Sequence, residues 1–201
     1  MTFSLHRSVF AGVALAALTS ATHAADDPHI RGEITAIDGA TYSVETASGQ
    51  SVDVDLAAEH TVLLYTPLDL ADVKADDYLG IPSAPAQGGG KRALAVVVFP
   101  EAMRGFNEGE GNWDLVPGSR MTNATLARLA AKDDAGTLTV THGGASEEIA
   151  VPQGTPVVTF APAPDREIRI GEQAIFFARD TDSGLTAGLV GVSEDGSLPP
   201  L

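Results

Sequence analysis

TYSVETASGQSVDVDL, residues 41–56, decides the fold. Apolar and polar side chains alternate on both sides of Gly49. Val52, Val54 and Leu56 fall on one side of the chain, Asp53 and Asp55 on the other. Alternation with a period of two is the pattern of a half-buried strand, and the central turn makes the stretch an antiparallel hairpin. Upstream, residues 31–38 (RGEITAID) place Ile34 and Ile37 around a threonine and end at Asp38-Gly39, a turn signal. Downstream, residues 61–65 form another apolar run. Leu68, Leu70 and Val73 then follow at roughly helical spacing, which predicts one short turn of helix before a strand at 78–81. Gln87-Gly88-Gly89-Gly90 is a loop, and ALAVVVF at 93–99 is a near-continuous apolar strand.

The same order then returns. TLTVTH at 137–142 repeats TYSVET about 96 residues later, and EEIAV at 147–151 repeats SVDVD. PVVTFAP at 156–162 answers residues 62–67, with Phe160 in the place of Tyr65. IRIGEQAIFF at 168–177 answers residues 72–81, and residues 185–192 answer 93–99. A unit of this length is a whole small domain rather than a solenoid repeat. Five or six short strands escape the edge-strand problem by closing into a barrel, and a helical turn between the middle and late strands marks an OB-like one. The expected fold is all-β: two tandem OB-like barrels at 25–98 and 123–201, joined by an ordered connector at 99–122.

Composition narrows the setting. The 201 residues carry 12 Lys+Arg against 27 Asp+Glu, a formal charge of -15. Such a surface repels phosphate backbones and excludes nucleic acid as a natural partner. There is no cysteine, so thiolate metal sites, disulfides and Cys nucleophiles are excluded. Residues 1–24 read as a signal peptide: Arg7 in the n-region, the apolar run VFAGVALAAL at 9–18, then Thr22-His23-Ala24 before a cut at Ala25. The run is too short to span a bilayer and no second one approaches that length. The mature chain is expected in the periplasm, with no membrane span. Loss of Arg7 leaves it at -16.

No catalytic residues are assigned. His29, His60 and His142 are the mature histidines; none sits in a nucleophile–base context, and no G-x-S-x-G occurs. Acids are plentiful, but nothing singles out a pair for acid–base hydrolysis. Gly88-Gly89-Gly90-Lys91 lacks the spacing and the following helix of a phosphate loop. Interest falls on the connector, which holds the only Trp, Trp113, and the two internal methionines, Met103 and Met121. Arg104 and Asp114 join them as interaction candidates. Glu108, Glu110, Asn112 and Asp114 alternate with Gly and Trp, which in an extended loop puts four oxygen-bearing side chains on one side for a hard cation such as calcium. The alternative is a solvated acidic linker, since the D-x-D-x-D-G order is missing. Met103, Met121, Trp113 and a histidine offer a softer donor set for Cu(I) or Ag(I), against a plain packing role. No His lies close in sequence.

Gly32, Ile34, Asp38-Gly39, residues 41–46 and residues 182–192 together resemble bacterial exported proteins carrying domain of unknown function 5666, an OB-like barrel repeat. The phrases VVVFPEAMRG (96–105) and WDLVPGSRMTNAT (113–125) and the Pro199-Pro200 tail resemble one group of these, sometimes labelled metal ABC transporter permeases. The resemblance implies no activity or cofactor, and the permease label conflicts with a chain lacking transmembrane helices. The expectation is a non-enzymatic periplasmic module that binds an unknown protein or small ligand in the cell envelope. A metal-binding accessory of an envelope transport system is the alternative, and a hydrolase using an acidic pair the third. No cofactor is expected, apart from a possible metal ion.

Overall fold

The computed structural model describes residues 28–132 and 134–201; the expected signal peptide at 1–24 lies outside them. The protein is all-β. Thirteen strands follow in chain order: β1 (His29–Asp38), β2 (Thr41–Thr46), β3 (Ser51–Pro67), β4 (Tyr78–Pro85), β5 (Lys91–Ala93), β6 (Val96–Val98), β7 (Gly109–Asn112), β8 (Arg120–Lys132), β9 (Ala135–His142), β10 (Ala145–Val151), β11 (Val157–Pro162), β12 (Gln173–Thr181) and β13 (Gly184–Ser193). Single 3-10 turns occupy Leu70–Asp72, where a helical turn is expected, and Glu101–Met103. No helix among the described residues is long and apolar enough to cross a membrane.

The pairing closes a five-stranded OB-like barrel. Strands β1, β2 and β3 run antiparallel, β3 pairs parallel with β13, and β12 returns to β1. A second ring closes in the same way: β8, β9 and β10 run antiparallel, β10 pairs parallel with β5, and β4 returns to β8. Each ring carries a bulge at the same place in its first strand, after Ile34 in β1 and after Leu126 in β8. A bulge bends a strand, and a ring this small needs a bend to close. The turn between β9 and β10 uses two glycines because both central residues require positive φ, 54° at Gly143 and 79° at Gly144.

The expected boundaries at 25–98 and 123–201 do not delimit these rings. The first ring takes its last two strands, β12 and β13, from the carboxyl half of the chain. The second takes β4 and β5 from the amino half. Alternation identifies a strand and its buried face, but two similar halves offer similar edges, so it does not say which edge a strand joins. The expected connector at 99–122 contains the Glu101–Met103 turn, β7 and the start of β8, and β7 pairs with β8 along the outside of the second ring.

Three apolar clusters result. Ile34, Val44, Val54 and Phe176 fill the first ring; Leu79, Ile81, Leu126, Leu138 and Ile149 fill the second. The third lies where the rings meet. There β3 pairs antiparallel with β11, placing Tyr65 opposite Phe160, two residues that the expected sequence repeat aligns with each other.

Candidate functional site

The seam between the rings holds a cavity of about 260 Å³. Its floor is aromatic. The Tyr65 and Phe160 rings lie 5.5 Å apart, and Phe99 stands edge-on to Phe160 at 5.3 Å. Offset and edge-on arrangements are those favoured by ring quadrupoles. Two glycines make room for this packing. A Cβ at Gly80 would lie 2.6 Å from the Phe99 ring, and one at Gly191 would lie 2.5 Å from Tyr65. Burial pushes the Tyr65 hydroxyl well above its ordinary ionisation range, so it stays neutral.

Residues of the expected connector form the rest of the wall. Met103, Phe106, Asn107, Trp113 and Met121 all line the cavity, with His29 from β1 and Leu201 from the chain end. Phe106 is half exposed, whereas Met103, Trp113 and Met121 are partly buried against the seam cluster. The Trp113 ring lies 4.3 Å from that of His29, whose other neighbour, Phe177, stands edge-on at 5.1 Å. Two polar atoms of this wall are buried without a partner: the Trp113 indole Nε1 and the Asn123 amide Oδ1. Asn123 is 7% exposed and donates through Nδ2 to the Phe106 carbonyl at 3.3 Å. That bond fixes which way the amide faces.

Asp114 fastens the connector to the first ring. Its carboxylate accepts from Arg31 Nη2 at 2.6 Å and lies 2.9 Å from His29 Nδ1. Partial burial opposes ionisation, but the hydrogen bonds to His29 and Arg31 outweigh it and hold the carboxyl well below the usual range. Arg31 also donates to the backbone oxygens of His29 and Leu201, which brings Leu201 against the seam. Arg104 plays a similar part further along. It forks onto Glu101 at 2.6 and 2.7 Å and donates to the Asp76 carbonyl at 2.8 Å.

The four oxygen-bearing candidates do not converge on one point; only Glu110 and Asn112 share a partner, Arg120. Glu108 accepts from the Gly143 amide at 2.9 Å. Glu110 is bound by Lys91 and by Arg120 Nε at 2.9 Å, and Asn112 by Arg120 Nη1. Asp114 faces the opposite ring. Each is engaged by a cation or a backbone donor, and no group of three His, Asp or Glu side chains among the described residues is placed to hold a metal ion. The soft donor set is brought together instead: Met103, Met121, Trp113 and His29 line one cavity.

Reading the sequence alone leaves Asn123 as part of a sequon and Tyr65 and Phe160 as ordinary core. The signal that could have placed the last two is their matched position in the expected repeat, since β3 and β11 set them opposite each other. His29 carries no such signal; its position comes from the register of β1 with β12, which sets it opposite Phe177. Comparison with family models, with curated proteins and with solved structures yields no match to this chain.

Proposed function

We propose that the protein is a non-enzymatic binding module, exported to the bacterial periplasm, and that the seam cavity is its ligand site. The observation that carries the reading is an apolar, aromatic-floored cavity with a buried donor and a buried acceptor left unpaired in its wall. Unpaired buried polar atoms cost about 1–3 kcal/mol each, and a ligand that meets them recovers that loss. The volume sets the ligand's size. A 150 Å³ apolar cavity holds benzene, so about 260 Å³ suits a small molecule of roughly ten non-hydrogen atoms.

The lone Trp113 reports directly on the site. Titration with 2-naphthol, followed by Trp113 quenching, should saturate below about 1 mM, which asks for only about 0.4 kcal/mol per non-hydrogen atom. Leu189→Phe, which projects a larger side chain into the cavity, should abolish the saturable phase. Quenching that never saturates, or that Leu189→Phe leaves unchanged, overturns the reading. A second reading, a metal-binding accessory of envelope transport, is favoured by the gathering of His29, Met103 and Met121 at the same cavity.

A further inference from the structure

We infer that the seam cavity is a site for one soft monovalent cation, Cu(I) or Ag(I), with the thioethers of Met103 and Met121 and the imidazole Nε2 of His29 as donors and the Trp113 ring beside them. The inference rests on the reading of the seam as the binding site and names its ligand.

The donor chemistry comes first. Methionine occurs twice in the described residues, at 103 and 121. One is on a single 3-10 turn and the other on a barrel strand, yet both line this cavity. No aspartate, glutamate, lysine or arginine side chain lines it, and a backbone oxygen of Leu201 is taken by Arg31. A hard cation such as calcium or magnesium needs several anionic or carbonyl oxygens and finds no acidic side chain here. Thioether and imidazole are the ligands that select Cu(I), and a low-coordinate ion does not require a full octahedral shell.

His29 is prepared for the role by its neighbours. Its Nδ1 faces the Asp114 carboxylate at 2.9 Å, and Asp114 is itself held by Arg31. A carboxylate on one ring nitrogen orients a histidine and makes the other nitrogen a better ligand. Nε2 has no hydrogen-bond partner among the described residues. The rings of Trp113 and Phe177 hold the imidazole plane between them. The indole face attracts a nearby cation through its quadrupole, and the acidic surface of the chain raises the local concentration of cations.

The test uses the mature chain, titrated with silver nitrate in chloride-free buffer and with Cu(I) under anaerobic competition with a chelator. Trp113 emission and native mass spectrometry are the readouts. The expected result is one ion per chain, with quenching complete at one equivalent and no response to calcium or zinc. Met103→Leu and Met121→Leu keep the apolar volume, and each should weaken binding at least tenfold, as should His29→Gln. All three should keep the wild-type hydrogen-exchange protection of residues 41–56 and 137–151, which shows that the fold is intact, and 2-naphthol is titrated into the unsubstituted chain. Ag(I) quenching indifferent to these substitutions overturns the inference. If 2-naphthol binds and Ag(I) does not, the cation site falls and the cavity reading stands. If neither binds, both fall.

Discussion

Replacing Leu126 by alanine deletes a side chain that is 1% exposed at the centre of the second ring. A buried Leu→Ala change costs about 2–5 kcal/mol, rising with the void left behind. Leu126 sits among Leu79, Leu138, Val140 and Ile149, which the surrounding strands hold in place, so a loss of about 3–4 kcal/mol is expected. For a chain of this size that lowers the melting midpoint by roughly 6–16 °C. The informative part is where the loss appears. Because β4 and β5 of the second ring are continuous in sequence with β3 of the first, and β11 pairs with β3, the rings should open as one unit. Hydrogen exchange read by mass spectrometry should therefore show residues 41–56, in the other ring, losing as much protection as residues 137–151. Ile34→Ala should give the reciprocal result. Loss of protection confined to the ring carrying the substitution, or two separate thermal transitions, would refute the exchanged-strand architecture.

Gly191→Ala drives a methyl to 2.5 Å from the Tyr65 ring, which is fully buried, so overpacking should cost about 1–3 kcal/mol and lower the urea midpoint. A wild-type midpoint would mean that the seam is looser than described. The hydrogen bond from Lys91 holds the Glu110 carboxyl below its ordinary value, with burial opposing and Arg120 adding to it, while Glu147 shares the same Lys91. A depressed folded value contributes stability above the unfolded pKa of about 4.3 that fades as pH falls through the folded one. Glu110→Gln should flatten the urea midpoint's fall below about pH 5; an unchanged profile would remove the ion pair from the account. Arg104 is bound to Glu101 and Asp76, and Arg120 lies in β8, so trypsin should cut the native chain slowly at both. Rapid native cleavage at either would show a connector free of the seam.

Much of the strand order was legible because alternation is a local property. Val52, Val54 and Leu56 declare a face without reference to anything distant, and the repeat of TYSVET as TLTVTH declares two such units. Partner choice is not local. Nothing within Tyr78–Pro85 distinguishes the edge of β1 from that of β8, since both halves offer alternating strands with a bulge after the same core position. The site divides along the same line. Met103, Trp113 and Met121 stood out by rarity and do reach one cavity. Glu108, Glu110, Asn112 and Asp114 stood out by spacing, but the Gly143 amide claims the first, Lys91 and Arg120 the next two, and Arg31 the last. Those claims come from strands brought near by the fold, and no spacing within residues 108–114 encodes them.

The exchange of strands also bears on how the chain reaches its native state. The ribosome delivers β1, β2 and β3 first, but their ring closes with β12 and β13, roughly a hundred residues later. Until those arrive, the first three strands form an open meander with two unpaired edges, and β4 waits for β8 in the same way. Closing contacts so far apart makes for slow folding, because the loop entropy is spent before the pairing rewards it. A nascent chain of this design holds off its final structure until synthesis is nearly complete. Until then its open sheet edges are free to pair with other chains.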